Sequence, residues 1–254
     1  MLRRALLLFA SFAFFCFAAQ AQEKKDDLKI STEFSVNVWS DYVLTNGFRL
    51  SDQIVVQPDL TLYANDFSLD VWSSFGAQSK FNSGYDDEVD LTLAWDHDFE
   101  KWHLKTGASY FEIYRLNNFG AGDVVTPFVQ ASRDVFSIGE AKFSAKLRLD
   151  SYYEIQSKTG TRGDLLATLG LVGRRQFSES GLSSHAGVNL LWDEGGFGLD
   201  QGFLGIYQAG VTLPLSKWAT WNILEVKLPF GITIHDVRRT DSRLAVMMGI
   251  SFSF

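Results

Sequence analysis

The last eleven residues alternate strictly enough to define their conformation. Leu244, Val246, Met248, Ile250, Phe252 and Phe254 take every second place, and Ala245, Met247, Gly249, Ser251 and Ser253 stand between them. Successive side chains of an extended strand point to opposite faces, so this segment has one apolar face and one mild face, with Met247 the exception. The same period recurs along the chain. Thr32, Phe34, Val36 and Val38 oppose Ser31, Glu33, Ser35 and Asn37; Val56, Pro58, Leu60 and Leu62 oppose Gln57, Asp59, Thr61 and Tyr63. Phe67, Leu69 and Val71 oppose Ser68, Asp70 and Trp72, and Phe143, Ala145, Leu147 and Leu149 oppose Lys142, Ser144, Lys146 and Arg148. Val124–Asp134, Leu165–Phe177 and Trp218–Leu228 have strand composition but mixed faces. With these included, about twelve strands fill residues 30–254, which predicts an all-β, antiparallel up-and-down barrel.

The connections alternate in length. Short joints fall near 65–66, 100–101, 134–137, 178–181 and 216–217; longer ones fall near 44–53, 77–87, 115–123, 154–163, 193–202 and 229–241. Short turns at one rim and long loops at the other are the habit of membrane barrels, with turns periplasmic and loops extracellular. Pro58 and Pro127 lie inside strands, where proline removes a ladder donor, so each predicts a bulge or a local break.

Alternation alone does not say which face points inward. Three features assign the apolar face to lipid. Strands of about 10–12 residues can cross the hydrocarbon at a tilt. Mid-strand charges such as Asp90, Lys146 and Arg148 would be costly in a dry core but stay solvated in a wet lumen. The final strand, through Val246, Ile250, Phe252 and Phe254, resembles the carboxy-terminal assembly signal of bacterial outer-membrane barrels. Aromatic residues make up 15% of the chain and gather at predicted strand ends. Phe67, Phe99, Trp102, Trp218 and Phe254 sit by the short turns, and Tyr42, Phe75, Tyr110, Tyr153, Trp192 and Phe203 by the long loops, which predicts two interfacial belts.

The amino-terminal end reads as an export signal. Arg3 and Arg4 precede an apolar run from Ala5 to Phe17, and Ala19-Gln20-Ala21 offers a small-residue cleavage site, so residues 1–21 are expected to be removed. Residues 22–29 form a charged leader. Cys16, the single cysteine, lies in the signal, so the mature chain is expected to use neither disulfides nor thiol chemistry. Loss of Arg3 and Arg4 takes the formal charge from −7 to −9, a balance that argues against nucleic-acid binding.

Residues 36–76 resemble the TorF-type porin family of Gram-negative bacteria. In that family a first strand ends in Ser-x-Tyr-Val, a loop carries Arg-Gly and a second strand carries Gln-Pro. Ser40, Tyr42, Val43, Gly47, Gln57 and Pro58 match, whereas Asn46 stands where the family has the Arg. The resemblance implies a porin-like outer-membrane barrel.

The inward charges are unevenly spread. Glu33, Asp59, Asp70, Asp90 and Asp96 fall on the first strands, and Lys105, Lys142, Lys146, Arg148 and Arg174 on the middle ones. Rolled into a barrel, the two arcs would face each other across a charged lumen and tune the passage of small polar solutes or ions. The competing reading is a non-conducting structural or surface-exposed barrel, with the charges paired as filling. No enzymatic activity is expected. His97, His103, His185 and His235 show neither a Ser nor a carboxylate partner at a supportive spacing, and His235 falls in an outer loop. Asp86, Asp87, Glu88 and Asp90 read as a solvated acidic loop rather than a Ca²⁺ site. No cofactor or metal is expected. Expected partners are outer-membrane lipid and lipopolysaccharide, the barrel-assembly machinery and small solutes, with the barrel a monomer.

Overall fold

A computed structural model of the chain describes residues 29–43, 49–51, 53–76, 88–112, 123–154, 164–177, 182–194, 202–214, 225–237 and 243–253. The expected signal peptide, Asn46, Gly47, Asp86, Asp87, Trp218 and Phe254 lie outside the described residues.

Every regular element among the described residues is a strand: β1 (Ile30–Trp39), β2 (Tyr42–Val43), β3 (Arg49–Ser51), β4 (Val55–Ala64), β5 (Phe67–Gly76), β6 (Glu88–Phe99), β7 (Trp102–Glu112), β8 (Val124–Ile138), β9 (Ala141–Glu154), β10 (Asp164–Gln176), β11 (Ser183–Asp193), β12 (Gly202–Pro214), β13 (Glu225–Val237) and β14 (Arg243–Ser253). Twelve of them close into one antiparallel ring, while β2 and β3 pair as a small separate sheet. Closure is made by β1. It pairs with β4 from Ile30 opposite Ala64 to Trp39 opposite Val55, and with β14 from Glu33 opposite Ser253 to Trp39 opposite Met247. Ring closure gives each barrel strand a partner on both sides, so no sheet edge is left in hydrocarbon, where unpaired backbone groups would be costly.

Two-residue turns need a residue with positive φ. Asn65 (φ 53°), Glu100 (φ 55°) and Gly139 (φ 57°) supply it between β4 and β5, β6 and β7, and β8 and β9. These mark the rim with the short connections, where Ile30 of β1 and Ser253 of β14 also lie.

The apolar faces point out. Leu62, Leu69, Leu91, Leu93, Val129, Leu147, Leu169 and Leu190 are 42–57% exposed around the ring. In water such a band would leave unrealised roughly half of the 1.5–3 kcal/mol that full burial of each large side chain gives and would far exceed the patches soluble proteins tolerate. Acyl chains remove that cost. Phe99 and Trp102 project outward near the short turns; Phe75, Tyr153 and Phe203 do so near the long loops, where Trp192 and Phe203 meet with ring centres 5.0 Å apart.

The prolines interrupt the ladder without shifting it. Opposite β5, pairing skips from Val56 to Asp59 around Pro58, yet the register on either side is the same. Opposite β9 it skips from Val125 to Phe128 around Pro127, and between β13 and β14 it skips from Lys227 to Phe230 around Pro229. On its other side each proline stays in continuous register. A strand residue directs its N–H to one neighbour only, so the missing donor opens one seam and not both. The expected local break is therefore found at Pro58 and Pro127, and the expected bulge is not.

Two boundaries differ from the sequence expectation. The joint near 134–137 is strand: β8 continues to Ile138, with a register irregularity between Asp134 and Phe136. Phe136 stacks on Phe143 at 4.5 Å, which prolongs the pairing to the turn at Gly139 and Glu140. The strand expected over Trp218–Leu228 lies later, as β13, so most of the expected loop 229–241 is strand and His235 sits in a ladder opposite Ile206. Pro229, Gly231 and Asp236 read locally as loop residues, but pairing along both edges overrides that weak preference.

The orientation of the faces generates a first prediction. Leu93→Arg, on the outer face, is expected to destabilise the barrel in lipid bilayers by about 2–4 kcal/mol, whereas Thr92→Arg on the inner face changes stability far less. Equilibrium urea titration in lipid vesicles measures both.

Candidate functional site

The inner faces enclose a cavity of about 660 Å³ toward the long-loop rim. Its wall has three arcs, set by register.

The first arc is acidic. Glu33 lies opposite Thr61, which lies opposite Asp70; Asp59 lies opposite Trp72, which lies opposite Asp90. Equal register heights on neighbouring strands thus gather the carboxyls on one wall. The Thr61 hydroxyl donates to Asp70 Oδ1 at 2.6 Å, and the Gln57 amide donates to Ser74 Oγ at 3.3 Å. The first outer connection adds to this wall. Tyr42, on β2, is buried; its phenol donates to Glu88, and its ring lies 5.8 Å from that of Trp72. Burial, reinforced by the Glu88 carboxylate, pushes the Tyr42 phenol well above its ordinary value, so it remains a donor. Two expectations are corrected here. Tyr42 is not part of an interfacial belt, because it turns inward to satisfy a carboxyl. Glu88, 3% exposed, is not part of a solvated acidic loop, because that phenol covers it.

The second arc is basic and partly neutralised. Arg148 binds Asp150, with Nε at 2.9 Å and Nη2 at 2.7 Å from Oδ1, and its guanidinium lies 4.1 Å from the centre of the Phe128 ring. Phe128 can lie flat on the wall because Gly107 has no side chain; a Cβ there would meet the Leu93 carbonyl and the Phe128 ring. Lys105 Nζ is 3.2 Å from Asp96 Oδ2, directly across the β6–β7 seam, so these two charges cancel locally rather than face each other over the bore. Lys142 and Arg174 lie opposite each other between β9 and β10 near the short-turn rim. Lys146 lines the cavity, its stem laid over Gly170. Among the described residues no carboxylate lies within 4 Å of Lys142, Lys146 or Arg174.

The third arc is apolar. Leu166, Leu191 and Ile206 pack together on the inner wall with Tyr152 beside them. This explains the mixed faces of β10: Leu166 and Val172 share the inner face with Thr168 and Arg174. Outward and inward apolar residues on one strand cannot be separated by periodicity.

Two of the histidines, His97 and His103, have carboxylate partners that spacing did not reveal. His103 lies 2.8 Å from Asp98 and 3.1 Å from Asp96, and His97 lies 3.0 Å from Asp66 across a turn. Asp66 is far from His97 in sequence and meets it only through sheet register. These contacts sit at the exposed short-turn rim, away from the cavity. Among the described residues no cluster of His, Cys, Asp or Glu is placed to hold a metal ion. The C-terminal residues Val246, Ile250 and Phe252 are on β14, which seals the ring against β1.

Residues not singled out from sequence also line the cavity: Trp39, Trp72, Thr126, Asn189 and Gln208. The register of Trp72 between Asp59 and Asp90 was the available signal. Thr126 and Asn189 carried none, since small polar residues on an inner face are ordinary lining.

No protein-family model matches this chain, and no curated protein matches it. Solved outer-membrane porins share its fold. A KdgM porin is 11% identical, with 88% of this chain and 99% of that one covered and a TM-score of 0.53. The structure of a KdgM porin in complex with disordered oligogalacturonate gives 12% identity, 88% and 99% coverage and a TM-score of 0.54. A NanC porin gives 11% identity, 87% and 98% coverage and a TM-score of 0.53. The chain thus shares the all-β, antiparallel up-and-down barrel fold of these structures.

Tyr42→Phe leaves a buried Glu88 carboxyl without its donor and is expected to cost about 1–3 kcal/mol. A double-mutant cycle with Glu88→Gln, read by thermal unfolding in detergent, should return most of that cost as coupling.

Proposed function

We propose that this protein is a porin-like channel of the bacterial outer membrane, exported by cleavage of residues 1–21 and related to the TorF-type porins through the segment that carries Tyr42, Gln57 and Pro58. It carries small polar solutes or ions by diffusion. The observation that carries this reading is a charged cavity of about 660 Å³ inside a closed ring whose outer surface is apolar.

The mechanism follows from the wall. An ion entering hydrocarbon loses its hydration; an ion entering a polar lumen keeps water and meets fixed charges. Asp70 on one side of the cavity and Lys146 on the other set up a transverse field, while the paired Asp96–Lys105 and Arg148–Asp150 groups contribute little to it. Opposite charges in similar number favour weak selectivity. They also disfavour a long polyanion of the oligogalacturonate kind, which would run past the carboxyls of β5 and β6. Export, lipid and lipopolysaccharide contact, folding by the barrel-assembly machinery and a monomeric state belong to the same proposal.

Planar-bilayer recording with the purified barrel tests it. Discrete conductance steps are expected in KCl, and Lys146→Glu is expected to raise the cation-over-anion permeability ratio about twofold or more. An electrically silent barrel that also excludes sugars and amino acids from swelling liposomes would favour the structural role instead.

A further inference from the structure

Resting on the channel reading, we propose that the outer half of the lumen is a binding site for a small zwitterion carrying an ammonium and a carboxylate, of the amino-acid or betaine class. The ammonium end falls to Asp70, Asp90 and Trp72, and the carboxylate end to Lys146 and Asn189.

The two ends lie on different staves and do not reach each other. Asp70 and Asp90, on β5 and β6, line the same cavity as Lys146 on β9. Among the described residues no base lies within 4 Å of either carboxyl, and no carboxyl within 4 Å of Lys146. Glu88 and Asp90 share one face of β6, and Asp59 and Asp90 flank Trp72 in the ladder, so carboxyl groups are gathered on this wall. One oxygen of Asp90 is buried with no hydrogen-bond partner among the described residues. An ammonium placed there would give that oxygen a partner.

The aromatic groups favour an organic cation. Trp72 stands opposite Asp90 in the ladder, and its ring meets that of Tyr42 at 5.8 Å and an angle of 50°. An indole face beside a carboxylate attracts ammonium groups, methylated ones included. At the other end, Gly170 makes room for both the Lys146 stem and the Asn189 side chain, since a Cβ there would strike Asn189 Oδ1 and approach Lys146 Cε at 3.2 Å. Asn189 is 8% exposed and its Oδ1 has no partner among the described residues; Thr126, 1% exposed, likewise has an unpartnered hydroxyl on the same cavity. Buried polar atoms are rarely left unpaired, and those that are mark where a ligand or water completes them.

Simpler ligands fit only part of the wall. A plain cation leaves Lys146 unanswered, and a plain anion meets Asp70 and Asp90. Arg148 is not available, because Asp150 holds it. One molecule bearing both charges would offer a partner to each end, and about 660 Å³ is within the range of small-molecule sites.

Calorimetry on the purified full-length barrel in detergent tests the site independently of conductance, with glycine betaine as probe, choline as the cation-only control and acetate as the anion-only control. Betaine is expected to bind at least about tenfold more tightly than either control, and Asp90→Asn and Lys146→Gln are each expected to weaken it about tenfold, which is about 1.4 kcal/mol. Lys146→Gln should leave choline unchanged and Asp90→Asn should leave acetate unchanged, a split that general misfolding cannot produce. In bilayers, betaine should reduce the KCl current over the same concentration range. Absence of betaine binding, choline binding as tight as betaine, or variants without effect would overturn the proposal. A conducting barrel that ignores betaine removes the site and leaves the channel; a silent barrel that binds betaine removes the channel and leaves the site.

Discussion

Closure of the hydrogen-bond ladder through β1 is the constraint on which everything else depends. A polypeptide in hydrocarbon must satisfy its backbone polar groups internally, and a sheet does so only when its first and last strands meet. Here β1 takes β14 on one side and β4 on the other. Once the ring is closed, strand alternation leaves each side chain a choice between lipid and lumen. A slip of one residue anywhere would turn Leu91 inward and Asp90 outward together, so register and hydrophobicity fix each other. The prolines show how firm this is: each opens one seam for a few residues, and the register resumes unchanged.

The outer surface was largely legible in the sequence because lipid contact demands one property, apolarity, at a fixed period. Strands such as β5, β6 and β9 follow from that rule alone. β13 was misplaced by about a turn's length because Pro229, Gly231 and Asp236 look like loop residues in isolation and become strand only between two neighbours. The bulge near Phe136 was equally hidden, since it depends on stacking with Phe143 across the seam. Export by residues 1–21 is a reading of sequence only.

The inner surface was legible as a set of charges but not as a set of pairs. Which base meets which acid depends on stagger between strands, which period-two patterning does not encode. Asp96 and Lys105 cancel because they fall opposite one another; Arg148 and Asp150 cancel because residues two apart share a face. Asp70 and Asp90 on one wall and Lys142, Lys146 and Arg174 on another, which form no ion pair among the described residues, give the lumen its chemical character. The inward turn of Tyr42 to Glu88 and the apolar patch of Leu166, Leu191 and Ile206 came from tertiary context alone. Similarity to KdgM and NanC porins at 11–12% identity extends to the fold, so the solute must be argued from this wall.

The most direct test is a single-cysteine scan along β5, which is clean because Cys16 is the single cysteine and lies upstream of the barrel. Each position from Ser68 to Ser74 is replaced in turn, and the barrel is reconstituted in bilayers. Cysteines at 70 and 72 should react with a water-soluble thiol reagent, while probes at 69, 71 and 73 should be quenched by bromine-labelled acyl chains. Uniform reactivity along the strand, or quenching at the positions of Asp70 and Trp72, would contradict the account.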